Sequence, residues 1–193
     1  SSFSGSGTTY TATLTPSVDA TYTINVAQNK FTDSSGNNNT ASNTFTWTYD
    51  STSPTMTISS STVNSGETST DSTISLTFTS SESTTNFIES DITISGGSLS
   101  NFSGSGTTYT ATLTPSGNAT YTINVAENKF TDSVGNNNSA SNTFSWTYDT
   151  ISPTITGVTL ANDNTTITVT FSEAVYNTNS GSGSLEVDDF VFA

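Results

Sequence analysis

The sequence predicts an all-β protein built from tandem antiparallel β-sandwiches, and three observations support this prediction. First, the chain repeats itself: Phe102 lies 99 residues after Phe3, and the sequences that follow match almost residue for residue. Second, apolar and hydroxyl side chains alternate with a period of two, which is typical of strands with one buried face. Third, segments rich in Gly, Asn, Ser and Pro separate the alternating runs, as turns require.

The alternation locates about seven strands in one complete repeat. It is clearest in four runs of apolar residues spaced two apart, which are Ile74, Leu76, Phe78; Tyr109, Ala111, Leu113; Tyr121, Ile123, Val125; and Phe144, Trp146, Tyr148. The predicted strands are about 54–60, 73–80, 87–95, 98–103, 107–114, 119–127 and 142–149. Turn sequences separate the later strands at Gly96-Gly97, Gly104–Gly106, Pro115–Gly117 and Gly135–Asn138. No stretch has a convincing helical period.

The repeat divides the chain into three segments. Residues 1–50 correspond to the last four strands of one repeat, 51–149 to a complete repeat, and 150–193 to the first strands of a further repeat. Each terminal segment alone would leave core side chains and strand edges bare. We therefore expect a continuous array or a head-to-tail polymer, in which the open end of one copy meets the open start of the next.

The charge balance excludes two classes of partner. Sixteen acidic and two basic residues give a formal net charge of −14, so no cluster of Lys or Arg is present to bind nucleic acid or an anionic membrane. No run approaches the roughly 18 apolar residues that a membrane-spanning helix needs. We expect neither nucleic-acid binding nor membrane insertion of this segment.

The residue inventory also argues against catalysis. The chain has no His and no Cys, which excludes Ser-His-Asp and Cys-His mechanisms and the zinc sites that use those ligands. A glycosidase needs only two carboxylates about 5–9 Å apart, and Glu82, Glu89 and Asp91 are the candidates for such a pair. We expect these residues to form a solvated rim on a sandwich without a cleft, and we expect no enzyme activity.

Several longer segments resemble a known family. They read SPTMTIS at 53–59, SLTFTSSES at 75–83, FIESDITISGGSLSNFSGSGTTYTATLTPSG at 87–117, ENKFTDSVGNNNSASNTFSWTYD at 127–149 and SPTITGVTLANDNTTITVTFSEAVYN at 152–177. In order and spacing they are similar to the bacterial immunoglobulin-like (Ig-like) domains of giant surface adhesins and other secreted repeat proteins. The resemblance implies an Ig-like sandwich of about 100 residues, in an extracellular stalk or filament that is often stiffened by calcium.

Acidic and amide side chains are predicted to converge where successive repeats join. In a sandwich of this topology, the loops after the second and sixth strands lie at one end, beside the incoming linker. The residues carried there are Asp50, Glu82, Asp132, Asn136 and Asn138, with Asp149 and Glu173 at the following junction and Asp33 at the preceding one. Oxygen atoms from three segments suit Ca²⁺, which takes six to eight oxygen ligands. A cation there would offset the repulsion between carboxylates.

A second interpretation of the same residues needs no metal. Asp50 and Asp149 each precede a Ser-Pro pair and could cap the turn before it. The sequence DSVGNNN at 132–138 could be a tight loop, which needs Gly and Asn for positive φ angles. The sequence leaves both interpretations open.

The function expected from these features is that of a structural extender of an extracellular adhesin or surface filament. Its expected partners are neighbouring repeats or copies of the same chain. The alternative is a binding module that recognises a surface glycan or a receptor through its loops. Trp47 and Trp146 could serve as platforms for sugar stacking, but they share a face with Phe and Tyr and are expected in the core.

Overall fold

The computed structural model describes residues 2–178 and 181–191 of the chain. In those residues it has thirteen β-strands and two short 3-10 turns, and no α-helix. The predicted segments 1–50 and 150–193 also contain residues 1, 179–180 and 192–193, which lie outside the described part. No helix in the described residues has the length and apolar character needed to cross a bilayer.

The first segment contains four strands in two antiparallel pairs. β1 (Phe3–Ser6) pairs with β2 (Thr9–Ala12), and β3 (Ala20–Ile24) pairs with β4 (Phe45–Tyr49). The register of the second pair sets Tyr22 opposite Trp47. These four strands form two separate two-stranded sheets.

The complete repeat is a sandwich of two sheets. Its strands are β5 (Met56–Ser60), β6 (Glu67–Ser69), β7 (Ile74–Thr84), β8 (Ile92–Ile94), β9 (Ser98–Thr114), β10 (Ala119–Val125) and β11 (Phe144–Tyr148), with a 3-10 turn at Glu89–Asp91. One sheet has the order β5-β7-β9 and the other β6-β11-β10-β8. All neighbours are antiparallel except β6 and β11, which run parallel. The prediction of an antiparallel β-sandwich is confirmed.

The last segment contains β12 (Ile155–Leu160), β13 (Ile167–Phe171) and a 3-10 turn at Val187–Asp189. The two strands form an antiparallel pair with a bulge between Ile155 and Gly157. Neither strand pairs with a strand of the first segment within the described residues.

The core of the complete repeat consists of the alternating apolar residues of the two facing sheets. Phe78, Leu113, Ile123 and Trp146 are fully buried, and the aromatic rings of Phe87 and Phe130 pack edge-on at 5.3 Å between centroids. The outward faces carry Thr and Ser in register across neighbouring strands. The predicted burial of Trp146 is therefore confirmed.

Two features of the first half of the complete repeat differ from the predicted strands. β6 has only three residues and no apolar alternation, so the sequence pattern missed it. The predicted strand 87–95 is extended only at Ile92–Ile94, because the Asp91 side chain accepts a 2.9 Å hydrogen bond from the Ile88 N–H and closes a 3-10 turn there.

The predicted strands 98–103 and 107–114 form one continuous element, β9, which folds back on itself at Gly104–Gly106. The ring of Phe102 in the first arm stacks on Tyr109 in the second, with 5.9 Å between centroids. Gly104 has a φ of +142°, and a Cβ there would lie 2.4 Å from the Thr108 carbonyl oxygen. The glycine is therefore required by the close approach of the two arms.

Candidate functional site

Three carboxylates meet at the end of the complete repeat that faces the first segment. One oxygen each from Asp50, Glu82 and Asp132 lies within 4.8 Å of the other two. Asp50 follows β4, Glu82 lies near the end of β7, and Asp132 lies in the loop between β10 and β11. These are three of the residues that the sequence analysis placed at this junction.

The loop after β10 holds Asp132 rigidly. Its Oδ1 accepts hydrogen bonds from the backbone N–H groups of Val134, Gly135 and Asn136 at 2.7–2.9 Å, and its Oδ2 accepts one from Asn136 Nδ2 at 2.8 Å. Burial raises the pKa of Asp132, but these hydrogen bonds lower it by more, so the net pKa lies below the ordinary value. Asp132 is therefore ionised at neutral pH although it is buried.

Asp50 begins a turn, as the metal-free interpretation supposes. Its Oδ1 accepts a 3.0 Å hydrogen bond from the Thr52 N–H. Its backbone carbonyl accepts a 3.2 Å hydrogen bond from Asn136 Nδ2, which links the linker to the loop that carries Asp132. A carboxylate has four lone-pair sites, so one hydrogen bond to Oδ1 leaves Asp50 able to bind a cation as well. The two interpretations of Asp50 are compatible.

In Glu82, the surroundings disfavour the ionised form of the side chain. Its pKa is raised first by desolvation and then by repulsion from Asp50, Asp132 and Asp19. Every charged neighbour that shifts this pKa is acidic. The cluster therefore concentrates negative charge without a cationic side chain to balance it, which is the electrostatic situation that a bound cation relieves.

Asp19, which the sequence analysis did not select, is the fourth carboxylate at this junction. It lies in the loop before β3 and accepts hydrogen bonds from Ser51 N at 3.0 Å, Ser51 Oγ at 2.8 Å and Thr52 Oγ1 at 2.6 Å. The hydrogen bond from the Thr52 hydroxyl is the main cause that lowers its pKa. Asp19 also lines an open surface pocket together with Asp50 and Glu82.

The contact made by Asp19 recurs 99 residues later with an amide in its place. Asn118 Oδ1 accepts hydrogen bonds from Thr150 N at 3.1 Å and from Thr150 Oγ1 at 3.0 Å. A polar residue at this position therefore ties each repeat to the linker that follows it. This internal correspondence is the signal that could have identified Asp19.

The two predicted amide ligands have different places in the structure. Asn136 lies at the cluster, where its Nδ2 donates to Asp132 Oδ2 and to the Asp50 carbonyl. Asn138 is buried and supports the loop instead. Its Oδ1 accepts from the N–H groups of Lys129 and Phe130, and its Nδ2 donates to the carbonyls of Ala126 and Ser139. Both lone pairs of Asn138 Oδ1 are thus used by the backbone, so its side chain supports the loop in this structure.

The following junction repeats part of the arrangement. Asp149 Oδ1 accepts a 2.9 Å hydrogen bond from the Ile151 N–H, as Asp50 does from Thr52. Ser172 exchanges two hydrogen bonds with Thr154, and Ser81 exchanges the same two with Thr55. Each serine is followed by a glutamate, so Glu173 occupies the place of Glu82. Its Oε1 is buried and has no hydrogen-bond partner in the described structure.

Asp33 has the same loop conformation as Asp132. Its Oδ1 accepts from the N–H groups of Ser35 and Asn37 at 2.9 Å, and its Oδ2 accepts from Asn37 Nδ2 at 2.9 Å. The side-chain hydrogen bond from Asn37 is the main cause that lowers the pKa of Asp33. Among the described residues, the only group of three or more converging acidic side chains is the one around Glu82, so Asp33 is not part of such a group.

The donor set at the first junction fits a hard divalent cation. The available ligands are the carboxylate oxygens of Asp50, Glu82 and Asp132, and the chain contains neither the nitrogen of His nor the sulfur of Cys. Oxygen-only donors suit Ca²⁺ better than zinc or copper. At the second junction, the orphaned Oε1 of Glu173 is the observation that supports the same chemistry.

Comparison with protein families gives a match to the family model described as bacterial Ig-like domain. The match covers residues 1–49 and 50–148 as two adjacent units. Comparison with curated proteins and with solved structures finds no match.

Proposed function

Because the chain belongs to the bacterial Ig-like domain family, we propose that it is a structural extender of an extracellular adhesin or surface filament. Tandem Ig-like repeats of this family point to a surface or extracellular module. The observation that supports the role of structural extender is the junction at Asp50–Pro54. Both the first segment and the complete repeat form hydrogen bonds with it. Asp19 of the first segment binds Ser51 and Thr52, and the loop of the complete repeat binds Asp50 through Asn136.

A short, doubly anchored linker favours an extended and stiff array. Pro54 is buried, and its carbonyl accepts a 3.0 Å hydrogen bond from the Ser139 N–H. Proline restricts its own φ and biases Ser53 towards an extended conformation. Each repeat has its own core and contacts only its neighbours, so reach grows with repeat number while stiffness depends on the junctions.

The proposal includes Ca²⁺ at the junction. Asp50, Glu82 and Asp132 would hold the ion, and Asp19 lies near enough to add to the negative potential. Bound Ca²⁺ would supply positive charge that offsets the carboxylate repulsion and joins the linker to two elements of the complete repeat. Asn136 positions Asp132 and the Asp50 carbonyl through its side-chain amide.

Members of this family are typically non-catalytic, and the proposal assigns the chain no reaction. Glu82 belongs to the junction cluster, while Asp91 accepts the Ile88 N–H within its own 3-10 turn. A hydrolytic pair of carboxylates is therefore not part of the proposed function.

A distance measurement across the junction tests the extender. The chain has no native cysteine, so spin labels can be placed only at introduced ones, such as Thr23→Cys and Thr110→Cys on exposed faces. We expect one narrow distance distribution by pulsed electron paramagnetic resonance in Ca²⁺, which broadens in chelator. A broad distribution in both conditions would rule out a stiff junction. A narrow distribution in both conditions would support a stiff extender whose stiffness does not depend on calcium.

A second candidate function is glycan recognition, and one observation favours it. An open pocket beside the β9 hairpin is lined by the partly exposed ring of Phe102 together with Ser, Thr and Gly residues, while the rings of Phe87 and Tyr109 that border it are buried. Aromatic faces and hydroxyl groups are suited to sugars. Screening the fluorescently labelled chain against immobilised glycans tests this candidate, and Phe102→Ala tests whether the pocket is the binding site. Binding that survives the substitution would exclude the pocket.

A further inference from the structure

A loop of the preceding repeat holds each of the two linkers in the chain. At the first linker, Asp19 accepts hydrogen bonds from Ser51 and Thr52. At the second linker, 99 residues later, Asn118 accepts hydrogen bonds from Thr150. The two contacts occupy equivalent positions in the repeat, so their chemistry can be compared directly.

A tyrosine fixes both loops in the same way. The Tyr22 hydroxyl donates a 2.9 Å hydrogen bond to the Val18 carbonyl, and the Tyr121 hydroxyl donates one of 2.7 Å to the Gly117 carbonyl. Each of these carbonyls belongs to the residue just before the one that holds the linker. The two loops therefore present their acceptors from equivalent places, and what differs is the acceptor and its donors.

The differences between the two copies of the repeat concentrate at this contact. Residues 2–52 and 101–151 differ only at positions 2, 18, 19, 28, 35, 40, 46, 51 and 52 of the first copy. Four of these positions belong to the loop and the linker that meet here, and they carry Val18, Asp19, Ser51 and Thr52 in the first copy and Gly117, Asn118, Thr150 and Ile151 in the second. Two nearly identical copies thus vary most where a repeat holds its linker.

The first linker has the stronger set of hydrogen bonds. Asp19 is a carboxylate that accepts from Ser51 N at 3.0 Å, from Ser51 Oγ at 2.8 Å and from Thr52 Oγ1 at 2.6 Å. Asn118 is a neutral amide whose Oδ1 accepts from the backbone and hydroxyl of one threonine at 3.1 and 3.0 Å. Ile151, at the position of Thr52, has no hydroxyl group to donate. Hydrogen bonds to a charged acceptor are shorter than neutral ones and roughly twice as strong.

We propose that these two positions set how firmly each linker is held, so that Asp19 and Thr52 form a firm junction and Asn118 and Ile151 a looser one. The firm pair acts as a unit, because Asp19 Oδ2 receives its hydrogen bond from the Thr52 hydroxyl. An array that contains both kinds of junction bends at the looser ones. This inference rests on the proposed extender for its purpose, whereas the hold on each linker can be measured on its own.

Hydrogen exchange of two backbone amides measures the hold on each linker. The Ser51 amide donates to Asp19, the Thr150 amide donates to Asn118, and each donor residue follows an aspartate in the sequence. Both contacts are exposed, so water screens the charge of Asp19. We expect the protection factor of the Ser51 amide to be about three- to tenfold that of Thr150. Nuclear magnetic resonance in EDTA keeps bound cations out of the comparison.

Converting the firm junction into the looser one tests the cause of the difference. In the double variant Asp19→Asn and Thr52→Ile, the protection of the Ser51 amide should fall to the level of the Thr150 amide. Near-ultraviolet circular dichroism verifies that residues 51–149 remain folded in each variant.

The reverse conversion is the complementary test. In the double variant Asn118→Asp and Ile151→Thr, the protection of the Thr150 amide should rise by a similar factor. Glu127→Gln is the control for charge, because it removes one carboxylate at an exposed position in the loop after β10. This control should change the protection of neither linker amide.

Equal protection of the Ser51 and Thr150 amides in the parent chain would overturn the inference, and so would protection that does not follow the converted pairs. A rise at Thr150 with Asn118→Asp alone would overturn the requirement for a pair, whereas a rise that also needs Ile151→Thr would support it. Equal protection together with a narrow distance distribution between the spin labels would leave the extender standing and remove only this inference.

Discussion

Asn136 Nδ2 donates a 3.2 Å hydrogen bond to the carbonyl oxygen of Asp50, so one side chain connects a loop of the complete repeat to the linker before it. The same amide group donates to Asp132 Oδ2. We expect Asn136→Ala to destabilise the repeat by about 1–3 kcal/mol, because one of the lost hydrogen bonds has a charged acceptor.

Asn37→Ala is the matched control for this substitution. Asn37 makes the corresponding hydrogen bond to Asp33 and has no linker contact in the described structure. Hydrogen exchange should show faster exchange of the Thr52 amide in Asn136→Ala and no change in Asn37→Ala. Equal exchange at Thr52 in both variants would show that the amide does not hold the linker.

Removing calcium should lower the stability of the complete repeat. A ligand that binds only the folded state at 100 times its dissociation constant stabilises by about 2.7 kcal/mol. We expect EDTA to lower the melting temperature of the parent chain and to have little effect on Glu82→Gln, which removes one carboxylate of the cluster. Glu89→Gln, at an exposed position outside the cluster, should respond to EDTA as the parent does. Calorimetry would contradict the site if the parent and Glu82→Gln respond equally.

The free energy of unfolding of the metal-free chain should depend on pH in a way that reveals the raised pKa of Glu82. Its folded pKa is raised above the ordinary value of 4.5, so the folded state holds this proton more tightly than the unfolded state. Stability from this group is therefore present below the ordinary pKa and is lost as the pH rises through the raised value. In EDTA, the stability of the parent relative to Glu82→Gln should increase as the pH falls towards 4.5. Urea unfolding measures the difference in stability between the parent and Glu82→Gln. If that difference is independent of pH, the pKa of Glu82 is not raised by burial and by its acidic neighbours.

Asn138 should contribute more to stability than a surface amide does. Asn138→Ala leaves the N–H groups of Lys129 and Phe130 without their acceptor and the carbonyls of Ala126 and Ser139 without a donor. We expect a loss of about 2–4 kcal/mol in the free energy of unfolding. Asn39→Ala removes four corresponding hydrogen bonds from the first segment and should leave unfolding of the complete repeat unchanged. A change below about 0.5 kcal/mol for Asn138→Ala would mean that the loop does not depend on it.

Leu113 and Leu14 provide a direct comparison of a buried and an exposed leucine at the same place in the repeat. Leu113→Ala should destabilise the complete repeat by about 2–5 kcal/mol, since it removes a fully buried side chain. Leu14→Ala should leave that transition nearly unchanged. Denaturation followed through Trp146 fluorescence in a Trp47→Phe background separates the two segments. Similar losses for both leucines would contradict the exposure of Leu14 in this structure.

The alternation of Ile74, Leu76 and Phe78 with hydroxyl residues was sufficient to predict the sheets, because burial on one face of a strand selects every second side chain. The cluster of Asp50, Glu82 and Asp132 was predictable because sandwich topology brings those loops to one end. Topology decides which loops meet, and residue type decides what chemistry they offer.

The contact of Asp19 and the role of Asn138 could not be predicted from the pattern of a single repeat, for different reasons. The contact of Asp19 with Ser51 depends on how one repeat packs against the linker to the next, which no pattern within a repeat expresses. The role of Asn138 depends on backbone groups of Lys129 and Phe130 that turn inwards in the loop. A polar side chain that supports its own loop and one that binds a ligand have the same sequence signature.

The parallel pairing of β6 with β11 determines how the complete repeat would carry tension. β6 lies near the start of the repeat and β11 at its end, and Trp146, Thr147 and Tyr148 are in register with Glu67, Thr68 and Ser69. A pull on the two ends drags these strands past one another lengthwise, so the hydrogen bonds between them share the load and must break together rather than in succession. The 3.0 Å hydrogen bond from Trp146 Nε1 to Ser69 Oγ adds a side-chain link across the same pair. We therefore expect the short strand that the sequence pattern did not predict to resist extension of the repeat under tension.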